Sequence, residues 1–505
     1  MVGSDPGVPY GSWKSVTRRG LATALVITPA ISACALTAPK PTVAPVPRQV
    51  RVAMPPLLDR LARVDRARDL QVSRGEALRE GVEVKVVPTS PGNLAHEVPD
   101  VDRLAAARRT LAAGERIDVL WTPFIDLGDL EEGGHLAPIR ALAARDRVDL
   151  KEFMPQALQP AFSPIRGLMA LPDEIAPRQV YFRADHLEEA GIDVRRAGLD
   201  FERPTMTWEA LRRVAIDAAC APAGRGRAAF DAGHAALPMA AWAWQAGVPT
   251  RVPTGEDLDR IGEALAWLGA LSRELNLGPS RPVPTWPAPV RSGVGGLVPD
   301  GAGISPDDVR RHPIIAGTAT IAIDSTRLIS ALAGHDDGLP IRVVELPRRS
   351  EVSRAAGWAD VSGYALVTGA SDDAWDLLRY LSGEDAAYAS ARAVAMRLPP
   401  IDRPAPGARA PEDLPGGPRR WFPPLSGRVS LDRFLARQYR TGIKSLDEAH
   451  DHGIEQVRHV GTIPFGPGTR GWLVALEDAR HAVIRDGRDP WEVAKEVVAG
   501  SITRK

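Results

Sequence analysis

Apolar and polar residues alternate from Val82 to Val86 and the run stops at Pro88, the period of two expected of a half-buried strand. Over 101–113 apolar residues recur at helical spacing, and 117–121 is a short apolar run. Strand, helix and strand in that order predict a βαβ unit with parallel strands, and ligands on open α/β sheets bind beyond the strands' carboxyl ends. The segment from Trp121 to Phe124 lies at such an end. Further strands are predicted at 179–182, 318–324, 341–346 and 364–368, separated by helical patterns. Helix starts are marked at Thr207-Trp208-Glu209, Ser371-Asp372-Asp373 and Asp489-Pro490-Trp491-Glu492, each a capping residue followed by acids in the first turn. Mixed strands and helices over the whole body predict an α/β fold in two lobes. Two stretches, 278–308 and 398–427, are rich in Pro and Gly without apolar period and read as long surface loops.

The N-terminal segment has a different pattern. Lys14, Arg18 and Arg19 form a basic region, and 21–31 is an apolar run too short to span a membrane stably. It ends in Ile31-Ser32-Ala33-Cys34, which resembles the bacterial lipobox, whose cysteine becomes the acylated N-terminus. More than one buried acyl chain is needed for stable anchoring, and this processing supplies it. Thr17-Arg18-Arg19-Gly20-Leu21 also resembles the twin-arginine export pattern, so both export routes are compatible with the segment. Pro39, Pro41, Pro45 and Pro47 follow in a polar stretch without periodicity and read as a semi-extended tether.

Length and charge narrow the class. A chain of 505 residues exceeds what one core of about 250 to 300 residues accommodates. Lys plus Arg equals Asp plus Glu, 63 against 63, so no net field recruits nucleic acid, and a small solute is the expected partner of the folded body. Two cysteines, Cys34 and Cys220, exclude a disulfide framework; Cys220 closes an amphipathic stretch and is expected to be a small buried hydrophobe.

Several fragments occur in the order found in family 1 extracellular solute-binding proteins. Asp118-Val119-Leu120-Trp121, then Gly134-His135-Leu136-Ala137-Pro138, resembles that family's "D-hydrophobic-hydrophobic-W … G-x-L-x-P". Gly167 to Pro172 resembles its "YGLP" strand, Val180 to Asp185 with Ala190 to Asp193 its "YYNKDLFEEAGID", and Pro204 to Leu211 its "P-x-TWEEL". The 318–324 run sits where that family has its "AAM-x-I" strand, 357–383 resembles its glycine-led strand and following helix, and 463–505 is similar to the end of maltose-binding proteins. Prolines follow Arg51-Val52-Ala53-Met54 where the family often carries an aromatic, and the aromatic often found after the "AAM" strand is replaced by Asp324, Ser325, Thr326 and Arg327, so the ligand is expected to differ from maltodextrin.

The resemblance implies a two-lobed periplasmic-binding-protein fold of the Venus-flytrap kind, type II, with solute held in the interlobe cleft. It implies a signal peptide over 1–34, a tether over 35–49, a first lobe from 50–170 and 346–397, and a second from 171–345 and 398–505, with hinge strands near Leu171 and Leu346. It implies an exported monomer, lipid-anchored at Cys34 outside the cytoplasmic membrane, that passes a sugar to ABC permease subunits without a cofactor or metal.

Sugar capture needs aromatic faces for the C–H faces of the ring and charged or amide groups for its hydroxyls. Trp121 is the first candidate platform, followed by Trp242, Trp244, Trp358 and Trp472; Trp472 also falls at the helical spacing of Leu476, Ala479 and Val483, which favours a core position. Candidate polar contacts are Asp173, Glu174, Asp324, Arg327 and Asp360. Other chemistry is less well supported. His450 and His452 are two apart and cannot share a helical face for a metal, and 293–303 lacks the lysine and hydroxyl of a phosphate loop. Adjacent Asp173 and Glu174 point oppositely on an extended segment, unlike glycosidase carboxylates, which flank one bond at about 5 to 9.5 Å. A surface glycan enzyme and a solute-sensing partner of a membrane receptor are the competing readings.

The anchor yields a direct test. Cys34→Ala should leave an unprocessed precursor or a protein released from membranes, read by detergent phase partitioning and mass; unchanged partitioning and processed mass would remove the lipobox reading.

Overall fold

The computed structural model describes residues 48–55, 58–74, 81–88, 111, 116–194, 206–221, 227–231, 239–249, 253–275, 312–333, 340–350, 357–398, 400, 406–409, 414, 417, 422–462, 466 and 468–503. The signal segment with Cys34, the tether, nearly all of the 101–113 helix and the 278–308 loop lie outside them. Strands are β1 (Arg48–Met54), β2 (Val82–Pro88), β3 (Val119–Pro123), β4 (Leu136–Ala137), β5 (Phe162–Ser163), β6 (Gly167–Leu168), β7 (Ala170–Arg183), β8 (Ala228–Asp231), β9 (Ala319–Ser325), β10 (Ile341–Glu345), β11 (Gly357–Val367) and β12 (Val460–Thr462). The helices that shape the site are α1 (Leu58–Arg74), α2 (Leu127–Glu132), α3 (Trp208–Cys220), α4 (Met239–Gln245), α5 (Leu258–Glu274), α6 (Asp372–Leu381), α7 (Glu384–Arg397), α8 (Val429–Gln438), α9 (Lys444–Gln456), α10 (Thr469–Arg485) and α11 (Pro490–Thr503).

The predicted strands at 82–86 and 117–121 are both present and both parallel, but β1 lies between them in the order β2-β1-β3. Each pairs with β1, so the crossover unit spans three strands. Helix caps follow the sequence: Thr207 Oγ1 accepts the Ala210 N–H at 3.1 Å, and Asp489 Oδ1 accepts those of Trp491 and Glu492 at 2.9 and 3.0 Å. Such caps are each worth about 1 kcal/mol. Ser371 precedes α6 without a side-chain cap bond.

One strand joins the two lobes. β7 is buried along its length except at Arg183, as a strand covered on both faces must be. Its residues from Ala170 to Pro177 pair antiparallel with β11, whereas Arg178 to Phe182 pair with β9 and Gln179 to Arg183 with β10. The first core gathers Val52, Val119, Leu171, Ile175, Ala359 and Trp375; the second gathers Val180, Phe182, Ile321, Trp208, Trp358 and Leu476. Alternate β7 residues point to opposite faces, so Tyr181 joins a separate cluster with Val343, Leu446 and Ala449.

β7 changes partners between Pro177 and Arg178, whereas among the described residues β11 pairs only with β3, β4, β7 and β12. Trp358 and Ala359 of β11 face opposite sides of their strand, Trp358 into the second core and Ala359 into the first, and Ala359 is the register partner of Pro177. After residue 397, Leu431, Leu435 and Tyr439 of α8 pack on Ala391, Val394 and Ala395 of α7. Leu446 and Ala449 of α9 complete the Tyr181 cluster.

Cys220 is exposed, against expectation. The buried face of α3 is Trp208, Leu211, Val214, Ala215 and Ala218, and the last residue of the helix falls off it.

Buried His450 stacks on Phe422 with ring centroids 4.3 Å apart. Burial, outweighing the nearby Pro423 carbonyl, brings its pKa down from 6.5 to about 4. The unfolded chain therefore takes up this proton first, so the contribution to stability is complete above pH 6.5 and is lost as pH falls through about 4. Its size is about 3 kcal/mol at most. Urea unfolding at pH 7.5 and 4.5 should show a smaller acid loss in His450→Gln than in the parent; equal losses would exclude His450 as a source.

Candidate functional site

The end of β3 leads directly into the part of the first lobe that meets the second. Phe124 to Asp126 form one 3-10 turn and α2 follows, where the Gly468 N–H donates to the Asp129 carboxylate at 2.8 Å. Gly128 lies under the Gly466 backbone so closely that a Cβ would sit 2.1 Å from its carbonyl oxygen. The loop before α10 thus closes against α2, and Trp472 lies one turn into α10.

On the first-lobe side, Trp121 is buried and its indole N–H donates to Asp173 Oδ2 at 3.2 Å. The Arg60 guanidinium lies over the Trp121 ring, 3.7 Å from its centroid. Arg60 also approaches Asp173 at 3.8 Å and Glu174 at 3.6 Å, and Arg63 pairs with Asp173 at 2.6 Å while donating to the Leu381 carbonyl at 2.7 Å. Two arginines and two carboxylates make a neutral buried group, the composition that desolvation demands.

Local backbone geometry brings both carboxylates to one arginine. Gly363 pairs with Pro172 and Ser362 with Glu174, leaving Asp173 as an extra residue in a bulge. On a regular strand Asp173 and Glu174 would diverge; the bulge turns both toward Arg60. Gly363 permits the close approach, since a Cβ there would lie 2.1 Å from the Leu171 carbonyl oxygen.

A second charged group sits at the crossing itself. Arg178 pairs with Asp360 of β11 at 2.5 Å and approaches Asp324 of β9 at 3.8 Å, tying a strand of each lobe to the residue where β7 changes sheets. His312 Nδ1 accepts the Ile314 N–H at 3.3 Å, which leaves the ring proton on Nε2, 3.2 Å from Asp324 Oδ2. Burial, reinforced by Asp324, pushes the Tyr181 phenol well above its ordinary pKa, so it is a neutral donor to the Ser325 carbonyl at 2.7 Å.

The tryptophans divide into two groups. Trp242 forms a triangle with Trp208 and Trp267, centroids 5.5 and 4.9 Å from it and 5.1 Å from each other, at the second core. Half-buried Trp244, on the same short helix α4, meets Trp358 edge-on at 6.3 Å. Its ring packs against Gly461 of β12, where a Cβ would come within 2.6 Å of the indole. Trp358 and Trp472 are buried in the second core with indole nitrogens that make no hydrogen bond among the described residues. The spacing of Trp472 with Leu476, Ala479 and Val483 is reproduced in that core.

The structure thus joins Trp121, Asp173 and Glu174 in one group, Asp324 and Asp360 in another, and Trp244 with Trp358 in a third. Trp242 belongs to the core tryptophan cluster, and the Arg327 side chain lies outside the described residues. Arg60, Arg63, Arg178 and His312 were not anticipated from sequence. For the first two a signal existed: they sit at i and i+3 in line with Ala67 and Leu70, where a charged residue on an apolar stripe needs a buried partner.

No family model matches the chain, and no curated protein matches it in sequence. Solved structures do match its fold. Maltose-bound MalE3 of T. maritima aligns with a TM-score of 0.58 at 16% identity, over 90% of this chain and 100% of that one. The GacH receptor of Streptomyces glaucescens, solved unliganded and with acarbose, gives 0.57 at 14% identity over 90% and 97%. An ABC transporter solute-binding protein of Thermotoga lettingae, bound with α-D-tagatose, gives 0.57 at 14% over 90% and 99%. The chain therefore has the two-lobed α/β fold of ABC-transporter solute-binding proteins.

Proposed function

We infer that the chain is an extracytoplasmic receptor, not an enzyme, that captures a carbohydrate between its lobes and delivers it to an ABC import permease. The observation that carries the reading is the single change of partner in β7 at Pro177/Arg178, from β11 to β9 and β10. A strand shared between two sheets joins two bodies that can turn about it. The named ligands of the similarly folded proteins, maltose, acarbose and tagatose, give the solute class. Half-buried Trp244, edge-on to buried Trp358, is the tryptophan of this group with part of its ring exposed. Among the described residues no helix is long and apolar enough to cross a membrane, so attachment in this reading rests on lipid at Cys34. Export, anchoring and a monomeric state belong to the same proposal.

Binding must favour the closed form over the open one, since a ligand shifts an equilibrium only by its differential affinity. A thermal-shift screen over sugars and polyols identifies the solute, because a ligand at about 100 times its Kd stabilises by about 2.7 kcal/mol. Small-angle scattering with the hit should then show a smaller radius of gyration than the free protein. No stabilising carbohydrate, or an unchanged radius at saturation, would count against a closing receptor.

A further inference from the structure

The chain carries one loop-and-helix signature twice. Ser426-Gly427 with Asp432 opens α8, and Thr441-Gly442 with Asp447 opens α9. In each, one carboxylate oxygen accepts the N–H and hydroxyl of the Ser or Thr, at 2.7 and 2.8 Å and at 3.0 and 2.9 Å. The other oxygen accepts the glycine N–H at 3.2 Å in both. The glycines take the left-handed backbone that this turn needs, at φ +78° and +74°. The surroundings differ: Asp447 is half-buried, whereas Asp432 is buried and its three hydrogen-bond donors are neutral. Arg428, the charged side chain that acts on Asp432, is itself committed to Glu152 and the Ser382 carbonyl, lies 3.9 Å over the Phe153 ring and also feels Glu384. Between α8 and α9, Arg433 pairs with Glu455. Burial, only partly offset by the Ser426 and Gly427 hydrogen bonds and by Arg428, pushes the Asp432 carboxyl up to about 7.

The loop that Asp432 holds runs beside β7 past its change of partner. Phe422 packs with Tyr181 and stacks on His450, while Leu425 sits in the first core with its carbonyl accepting the Ile175 N–H at 2.8 Å. The Gly427 carbonyl accepts the Met154 N–H at 2.8 Å, and a Cβ on Gly427 would lie 2.7 Å from that of Ala157. The stretch expected as a surface loop over 398–427 thus ends buried. We propose that 422–428 is a proton-controlled strap on the strand that joins the lobes, seated while Asp432 is neutral and released as that carboxylate ionises. The neutral form keeps both Ser426 hydrogen bonds on Oδ1 and carries its proton on Oδ2, the oxygen with the longer contact. Lifting the strap brings the carboxyl to water and to its ordinary value of 3.8. The seated strap therefore holds the proton more tightly, so lifting becomes easier as pH rises from about 4 to about 7 and levels off above. His450 takes up its proton only near pH 4, below the range that matters here. Release would relax a restraint on the two bodies that turn about β7, whatever the solute.

The test is amide hydrogen exchange of the full chain between about pH 5 and pH 7.5, read by mass spectrometry and corrected for the chemical exchange rate. Peptides carrying the Met154, Ser426 and Gly427 amides should lose protection by at least about tenfold over this range. Peptides of β9, with Ile321 and Ile323 in the second core, should not change. Asp432→Asn, whose amide stands in for the neutral carboxyl, should make strap protection independent of pH, while Asp447→Asn should leave the parent's profile. A flat parent profile overturns the proposal, and this arm decides it even if the asparagine variant does not fold. Loss of protection shared equally with β9 reports global unfolding and overturns it too. So does a profile that persists in Asp432→Asn or disappears in Asp447→Asn.

Discussion

The arrangement depends on one strand having to satisfy two sheets. β7 is buried along nearly its whole length, so its backbone groups must find partners within the protein. They do so with β11 up to Pro177 and with β9 and β10 beyond it. The change of partner is sealed by polar contacts: the Thr326 N–H donates to the Pro177 carbonyl at 2.8 Å, Gln456 Nε2 to the Arg178 carbonyl at 3.0 Å, and Gln179 Nε2 to the Ala449 carbonyl at 3.3 Å. A proline is tolerated at the crossing because it has no N–H to lose from either ladder. The two donor glutamines tie β7 to α9.

The same strand sets where charge is buried. Asp173 and Glu174 lie before the crossing and Arg178 just after it, and none can face water. Each is neutralised by groups from elements distant in sequence: Arg60 and Arg63 of α1, Asp360 of β11, and Asp324 of β9. Ion pairs of this kind contribute little net stability, because desolvation offsets most of the attraction, but losing one partner is costly. They therefore fix geometry more than they add energy. At the crossing they hold β9 and β11 on one guanidinium; in the first lobe they hold an arginine against the buried Trp121 ring.

Much of the fold was legible in the chain because it is written in local periods. Alternation announced β2, the apolar runs announced β3, β9, β10 and parts of β7 and β11, and Thr207 and Asp489 cap the helices they precede. The ordered fragments pointed to the two-lobed architecture that the solved structures share. The candidate residues were chosen by type and by position near strand ends, and that rule grouped Asp173 with Glu174 and Asp324 with Arg327, whereas in the structure Asp324 shares Arg178 with Asp360. It could not separate Trp242 from Trp244, which differ only in the direction a short helix turns them.

What the sequence determined by itself was the alternation of strands and helices, their caps, and a chain with the fragments of a binding fold behind an export-like segment. Only the tertiary structure decided that β1 lies between β2 and β3, that β7 changes partners at Pro177, that a bulge turns Asp173 and Glu174 to one side, and that Arg60 covers Trp121. The reason is one of range. Periodicity and capping are set by neighbours within a turn or two of the chain, whereas strand order, register shifts and the pairing of buried charges are settled between residues far apart in sequence, by the requirement that every buried polar group find a partner.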